Sequence, residues 1–267
     1  MQTGTGEGGS APMEREMWGG RVADWAEVQE RTVLPLYKEV LARTGIGKGT
    51  NLLDVGCGAG GFCRMAAERG AGVTGFDATP EMIAMAKSRT PHGDFRAGDM
   101  EALPYAGDSF HVVTGFNSFQ YAANPVNALS EARRVAKKDS FVVMAVWGKA
   151  ADCEASAYVA TLFKFLPPPP PGAAGPFALS EEGALEALAR QAGLTPVEVK
   201  DVECPWEYKD LQTALRGLLS AGPAVLAIRL VGEQPLREAT TSVLEPFKTA
   251  SGGYRMLNKF RYVMART

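Results

Sequence analysis

Strand-like and helix-like runs alternate between residues 51 and 147, and this alternation constrains the fold more than any other feature of the chain. Residues 51–55, 72–76, 94–97, 110–116 and 141–147 are short runs rich in Val, Phe and Leu. The intervening stretches 60–69, 80–89 and 125–136 carry helical spacing. Strands separated by helices of about 10 to 15 residues build βαβ units, and such units need a parallel sheet with helices on both faces. The expectation is a doubly wound α/β fold.

The flanks divide by composition. Residues 1–16 are polar and glycine-rich, which predicts a disordered leader. Residues 17–48 read as an N-terminal helical cap: Val33, Leu36, Tyr37, Val40 and Leu41 recur at i, i+3, i+4, i+7 and i+8, and Pro35 divides the stretch or starts its second helix. Trp18 and Trp25 precede that face as core residues. After the 49–148 core comes an insertion over 149–179, with a short apolar helix at 155–166 and a proline run, 167–171, that acts as a rigid spacer. The core continues over 180–210, with a helix at 180–192 stopped by Gly193 and a strand at 197–208. Residues 211–250 read as two or three helices inserted as a lid, and 251–267 as the last strand.

Composition removes several classes. Lys and Arg total 28 against 30 acidic residues, a net charge of −2, so there is no global drive toward nucleic acid or an acidic membrane. The longest apolar run, 141–147, is far shorter than the ~20 residues of a membrane helix, so no membrane insertion is expected. The first residues lack the apolar core of a signal peptide. Cys57, Cys63, Cys153 and Cys204 form no CxxC pair and only two histidines are present, which predicts a reduced cytoplasmic protein without a Cys/His metal site.

The chemistry concentrates in Leu52-Leu53-Asp54-Val55-Gly56-Cys57-Gly58-Ala59-Gly60-Gly61-Phe62, which runs off a strand into a helix. Gly56, Gly58 and Gly61 satisfy the G-x-G-x-x-G dinucleotide pattern, while Gly56, Gly58 and Gly60 satisfy the G-x-G-x-G loop of S-adenosylmethionine (SAM) enzymes. Charge separates them. A dinucleotide sets its pyrophosphate at the helix N-terminus, where the nearby carboxylate of Asp54 repels it, whereas the ammonium and sulfonium of SAM are favoured there. Asp77, about 20 residues on, ends the second strand where a carboxylate accepts ribose hydroxyls. Asp99 follows the third strand, within reach of an adenine amino group. An NAD-binding reading stays open through Gly61.

These blocks, with VTGFDATPEMIAMAK, GDMEALPYAGDSFHVV and ALSEARRV, resemble the class I SAM-dependent methyltransferases, in particular the small-molecule group around the ubiquinone/menaquinone C-methyltransferases. The resemblance covers residues 50–147. It implies a Rossmann-like seven-stranded sheet with the last strand antiparallel, its final hairpin opened here by the helical insertion. It also implies that Gly56, Cys57 and Gly58 approach the methionine part of SAM and that Asp77 holds the ribose. Asp99 and Met100 would bound the adenine with Met82 as a second wall, and Asn117 would line the methyl side. Asp54, Gly60, Ala78 and Glu101 complete the expected cofactor-binding set. Two departures stand out: His111 occupies a position often held by Asp, and Lys137-Lys138-Asp139-Ser140 replaces a Pro-Gly-Gly turn. Both are expected to alter only their surroundings.

Methyl transfer from a sulfonium is an in-line displacement that asks the protein mainly for alignment and exclusion of water. A base is needed only for an acceptor that must lose a proton. His92, in a turn on the adenine side, and His111, on a strand surface, are structural on this reading, which leaves Tyr121, Gln120 and Trp147 as candidate catalytic residues near the methyl. Trp147, Trp206 and Tyr208 would suit an apolar or aromatic small-molecule acceptor. Nucleic-acid methylation is disfavoured, since Asn117-Ser118-Phe119-Gln120 stands where a D/N-P-P-Y/F motif is expected. The rival readings are a SAM-binding protein turned to another reaction, such as cyclisation, and a SAM- or S-adenosylhomocysteine (SAH)-binding interaction protein using 211–250 as a partner surface.

Overall fold

The structure, a computed structural model, describes residues 11–168 and 175–267. Its frame is a seven-stranded sheet: β1 (Asn51–Val55), β2 (Gly72–Asp77), β3 (Asp94–Ala97), β4 (Phe110–Phe116), β5 (Ala136–Trp147), β6 (Thr195–Glu203) and β9 (Lys259–Arg266), in the order β3-β2-β1-β4-β5-β9-β6. Neighbours from β3 to β5 pair in parallel, and β9 pairs antiparallel with both β5 and β6. The last strand alone is reversed, the arrangement implied by the family resemblance. Strand order turns around between β1 and β4, so a crevice opens at their carboxyl ends, where α/β sheets bind ligands.

The crossover helices α4 (Gly61–Glu68), α5 (Pro80–Arg89) and α6 (Pro125–Val135) form where helical spacing predicts them. β5 shows why both faces are covered: Val143 and Ala145 join the core of α3 (Leu34–Thr44) and α4, while Val142, Met144 and Val146 join that of α6 and α8 (Ala184–Gln191). Asn124 caps α6, its Oδ1 accepting from the N–H groups of Val126 and Asn127 at 3.0 and 3.2 Å. Lys137-Lys138-Asp139-Ser140 is looped out between the pairs Phe110–Ala136 and Val112–Phe141, with Asp139 at φ 57°.

Several boundaries differ from expectation. Residues 11–16 are not part of a leader; they belong to α1 (Ala11–Trp18), held by the bond from Trp18 Nε1 to Glu14 Oε2 (3.0 Å) and by packing on α10 (Gly222–Val231). Residues 1–10 and the proline positions 169–171 lie outside the described residues. The cap comprises α2 (Val22–Glu27), a 3-10 turn Gln29–Val33 and α3, with Pro35 in the first turn of α3. The helix expected from 180 begins at Ala184, because Gly183 takes φ 78° before it. The strands expected over 197–208 and 251–267 each break in two. Pro205 has no N–H to continue a ladder, and Asn258 turns the partner strand, so β7 (Trp206–Tyr208) and β8 (Tyr254–Met256) pair in a separate small sheet.

The insertion consists of three helices, α9 (Leu211–Leu218), α10 and α11 (Glu233–Leu244), with α7 (Ser156–Phe163) against α11. It docks on the N-terminal cap. Arg216 reaches Asp24 and Glu27 of α2 at 2.8 and 2.7 Å, and Tyr208 Oη donates to Gln29 Oε1 at 2.9 Å. No single helix among the described residues is long and apolar enough to cross a membrane, and all four cysteines are buried and unbridged.

Candidate active site

The loop between β1 and α4 lies at the β1/β4 crevice. Gly56, Gly58 and Gly60 take φ values of 71°, 51° and 78°. At Gly56 the requirement is double: besides its positive φ, a Cβ there would sit 2.2 Å from Ser118 Cβ. Ser118 is pressed there by the turn after β4, where Asn117 adopts φ 49° and donates its N–H to the Ala145 carbonyl at 2.8 Å.

The loop's backbone donors are almost all engaged. Gly56 and Cys57 both donate to the Phe76 carbonyl (2.7 and 3.1 Å), and Gly60 donates to that of Cys57 (2.9 Å). Gly58 donates to Asp77 Oδ2 and Gly61 to Glu30 Oε1, each at 2.9 Å. A phosphate needs convergent N–H groups. This loop offers few, presenting carbonyls and carboxylates that suit a cationic, phosphate-free ligand.

Asp77 ends β2 with its oxygens fixed by Gly58 and by the Thr79 N–H (2.9 Å to Oδ1). Each oxygen keeps a lone pair for a further donor. Burial pushes the Asp77 carboxyl up, and the backbone N–H groups of Thr79 and Gly58 pull it down. Asp99 Oδ1 accepts from Glu101 N–H (2.9 Å), and Glu101 Oε1 accepts from Asn124 N–H (3.0 Å), which ties the loop after β3 to the start of α6.

Gly56, Phe76, Asp77, Ala78, Gly98, Asp99 and Met100 line one cleft, together with Ala11 and Glu14 of α1. Its remaining space is about 10 Å3, roughly one water. Helix α1 therefore occupies the mouth, pinned by Arg15 Nε on the Ala78 carbonyl at 3.3 Å. Glu14 is only 7% exposed, and its carboxyl is pushed up to about 7, chiefly by burial and further by the Asp77 charge, against the hydrogen bond from Trp18.

Other sequence candidates stand elsewhere. Asp54 does not line the cleft. It lies beneath the loop at 2% exposure, where Thr114 Oγ1 donates to its Oδ1 at 2.7 Å and Cys63 Sγ approaches Oδ2 at 3.9 Å. Burial raises it to about 7, so its fixed charge is weaker than the sequence argument assumed; the occupied loop donors carry that argument instead. Met82 packs with Ala26, Ala59, Trp18 and Trp25 behind the loop, and the Cys57 side chain points at Gly75 of β2. Gln120 Nε2 donates to Asn117 Oδ1 at 3.2 Å, and Tyr121 beside it is pushed up to about 12 by burial, with Glu14 adding to the shift. Trp147 stacks on Phe260 (4.9 Å) and meets Trp206 and Phe177, away from the cleft-lining residues.

The histidines need one correction. His92 is not on the adenine side; it is exposed in the turn entering β3, at the sheet end opposite the cleft. His111 is at that end too, its Nδ1 accepting from Asn51 N–H at 2.9 Å. The sequence reading missed Glu14, Glu30 and Arg89. Glu14 was hidden in a leader read by composition, and Glu30 and Arg89 meet the loop only through folding.

The methyltransferase domain family matches residues 53–144, from β1 through β5. An uncharacterised protein of Mycobacterium tuberculosis strain H37Rv is 30% identical over 141 residues; the chain spans about half of that relative, the match covering 51% of each protein. A ubiquinone biosynthesis O-methyltransferase of Cereibacter sphaeroides is 31% identical over 159 residues, 57% of this chain and 63% of that protein. The crystal structure of the cyclase SpnF superposes with a TM-score of 0.56 at 21% identity, covering 87% of this chain and 80% of that one, a likeness of fold alone. Residues 53–144, which carry the glycine loop and Asp77, match the methyltransferase domain, and the seven-stranded sheet with its reversed last strand has the class I methyltransferase fold. Over part of its length the chain is also similar to a demethylmenaquinone methyltransferase of Chlorobaculum parvum, 38% identical over 87 residues, 32% of this chain and 36% of that protein.

Proposed function

We propose that this protein transfers the methyl group of SAM to a small-molecule acceptor of apolar or aromatic character. The observation that carries the reading is the pairing of Asp77, with acceptor lone pairs over the cleft, and a glycine loop whose N–H groups are internally engaged. That combination suits a nucleoside with hydroxyl donors and positive charge and suits a pyrophosphate poorly. The relative named for ubiquinone biosynthesis supports a small-molecule acceptor.

Bound SAM would supply an electrophilic methyl, whose bond to sulfur breaks as the bond to the acceptor forms, leaving SAH. The chain's residues bind and orient. Asp77 accepts from the ribose, Asp99, Met100 and Glu101 bound the adenine, and Gly56 to Gly58 face the methionine moiety. Asn117 and Gln120, already bonded to each other, border the methyl side with Tyr121. Burial pushes the Tyr121 phenol up to about 12, further from neutral pH than an ordinary tyrosine, so it serves as a hydrogen-bond donor that orients the acceptor rather than as a base. Helices α1 and α9 to α11 exclude water over the acceptor.

Calorimetry with SAM, SAH and NAD tests the cofactor. Binding of the first two without NAD supports the reading, and binding of NAD alone overturns it. Transfer of radiolabelled methyl to a panel of phenols, amines and quinols then identifies the acceptor atom.

A further inference from the structure

The cleft at the end of β2 receives two carboxyl groups from different parts of the fold. Asp77 belongs to the sheet, whereas Glu14 reaches in from α1, a helix that packs mainly on α10. Trp18 Nε1 holds Glu14 Oε2 at 3.0 Å, and no donor among the described residues reaches Oε1. The residue is 7% exposed, so this oxygen is left to a cleft with about 10 Å3 of space. Arg15, the next residue, donates to the Ala78 carbonyl and neutralises neither carboxyl. A buried carboxyl with an idle acceptor is costly unless a donor meets it. Burial and the Asp77 charge raise the Glu14 carboxyl for the same reason. Gly19 and Gly20 follow α1 directly, a joint with the backbone freedom to let the helix lift, admit a ligand and return.

We propose that Glu14 is a ligand-contacting residue of the cofactor site: when α1 closes over a bound nucleoside, its free oxygen accepts a ribose hydroxyl opposite Asp77. The inference rests on the SAM-binding reading above and adds a residue and a specificity to it. Two carboxyls facing one cleft repel each other, and a vicinal diol supplies one hydroxyl donor for each. The helix therefore contributes a binding group as well as a cover, and Trp18 fixes the direction of that group by holding its other oxygen.

The test is calorimetry of SAH and its 2′-deoxy and 3′-deoxy analogues with the wild-type protein, Glu14→Ala, Glu14→Gln and Arg15→Ala. Glu14→Ala should weaken SAH binding about tenfold, the scale of one lost hydrogen bond to a charged acceptor. Glu14→Gln keeps an acceptor oxygen and should recover part of that loss. The coupling between side chain and hydroxyl decides the matter. In Glu14→Ala, removing one of the two hydroxyls should cost about fivefold less than in wild type, and removing the other should cost the same. Arg15→Ala loosens α1 through its bond to Ala78 and should weaken all three ligands equally. The same uniform loss in Glu14→Ala, or no loss, makes α1 a cover only and overturns the assignment. If Glu14→Ala does not fold, Glu14→Gln, a weaker neutral acceptor, carries the same comparison. Failure of wild type to bind SAH sinks the SAM-binding reading and this contact with it. Binding of SAH with an unaltered hydroxyl dependence sinks the contact alone.

Discussion

Glu14 of α1 and Asp77 at the end of β2 line the same cleft, so the helix that closes the candidate cofactor site brings a second carboxyl to the one expected to bind ribose. Closure favours the protonated form of Glu14. Its pKa is raised from 4.5 to about 7 in the docked state, so docking is fully favourable below pH 4.5 and weakens as pH rises toward 7. The loss is about 3 kcal/mol across that window, with little further change above it. Hydrogen exchange of residues 11–18 should show protection falling from pH 5 to pH 7.5, and Glu14→Gln should keep protection flat. A pH-independent profile in both proteins would remove Glu14 as the titrating group.

Asp77→Ala should weaken SAH binding by about 2–4 kcal/mol, the scale of two hydrogen bonds to a charged acceptor. It also releases the N–H groups of Gly58 and Thr79, so circular dichroism must confirm that the loop's host is intact. Unchanged affinity in a folded variant would refute the placement of the ribose.

Asp54→Asn separates charge from position. Thr114 can still donate to the amide oxygen, while the buried charge that develops above pH 7 is gone. Thermal melts at pH 8.5 should show the variant stabilised by roughly 1–3 kcal/mol, an advantage that shrinks as pH falls below 7. A large loss of SAH affinity would show that Asp54 reaches the ligand after all.

Gly56→Ala meets both a positive φ and Ser118 Cβ at 2.2 Å, and should destabilise by about 2–4 kcal/mol. Ser118→Gly should recover the steric part but not the backbone part. Denaturant titration of the double variant measures the division, and full recovery would mean that φ at Gly56 is immaterial.

Tyr121→Phe should lower kcat by about tenfold for an acceptor that uses the hydroxyl, without moving the pH–rate profile below pH 9, because the phenol titrates only near 12. A limb lost from the profile near neutral pH would instead assign Tyr121 a proton-transfer role.

The βαβ alternation and the strand ends carrying Asp77 and Asp99 were legible in the sequence because both are local. Period-two and helical spacing specify faces, and a residue two positions past a strand must appear at the sheet's carboxyl edge. The direction of a side chain across that edge is not local, and Asp54 shows the difference: its place in the chain resembles that of a ligand contact, yet the pleat turns it under the loop onto Thr114. Breaks at Pro205 and Asn258 were equally hidden within continuous apolar alternation, since a strand's partner decides where its ladder ends. The sheet, the glycine loop and the carboxylate ending β2 follow from local pattern in the chain. Long-range packing alone brings Glu30 and Arg89 to the start of α4 and Glu14 to the cleft. These contacts join residues 31, 59 and 63 positions apart, and a cap held by packing leaves no periodic trace in the chain.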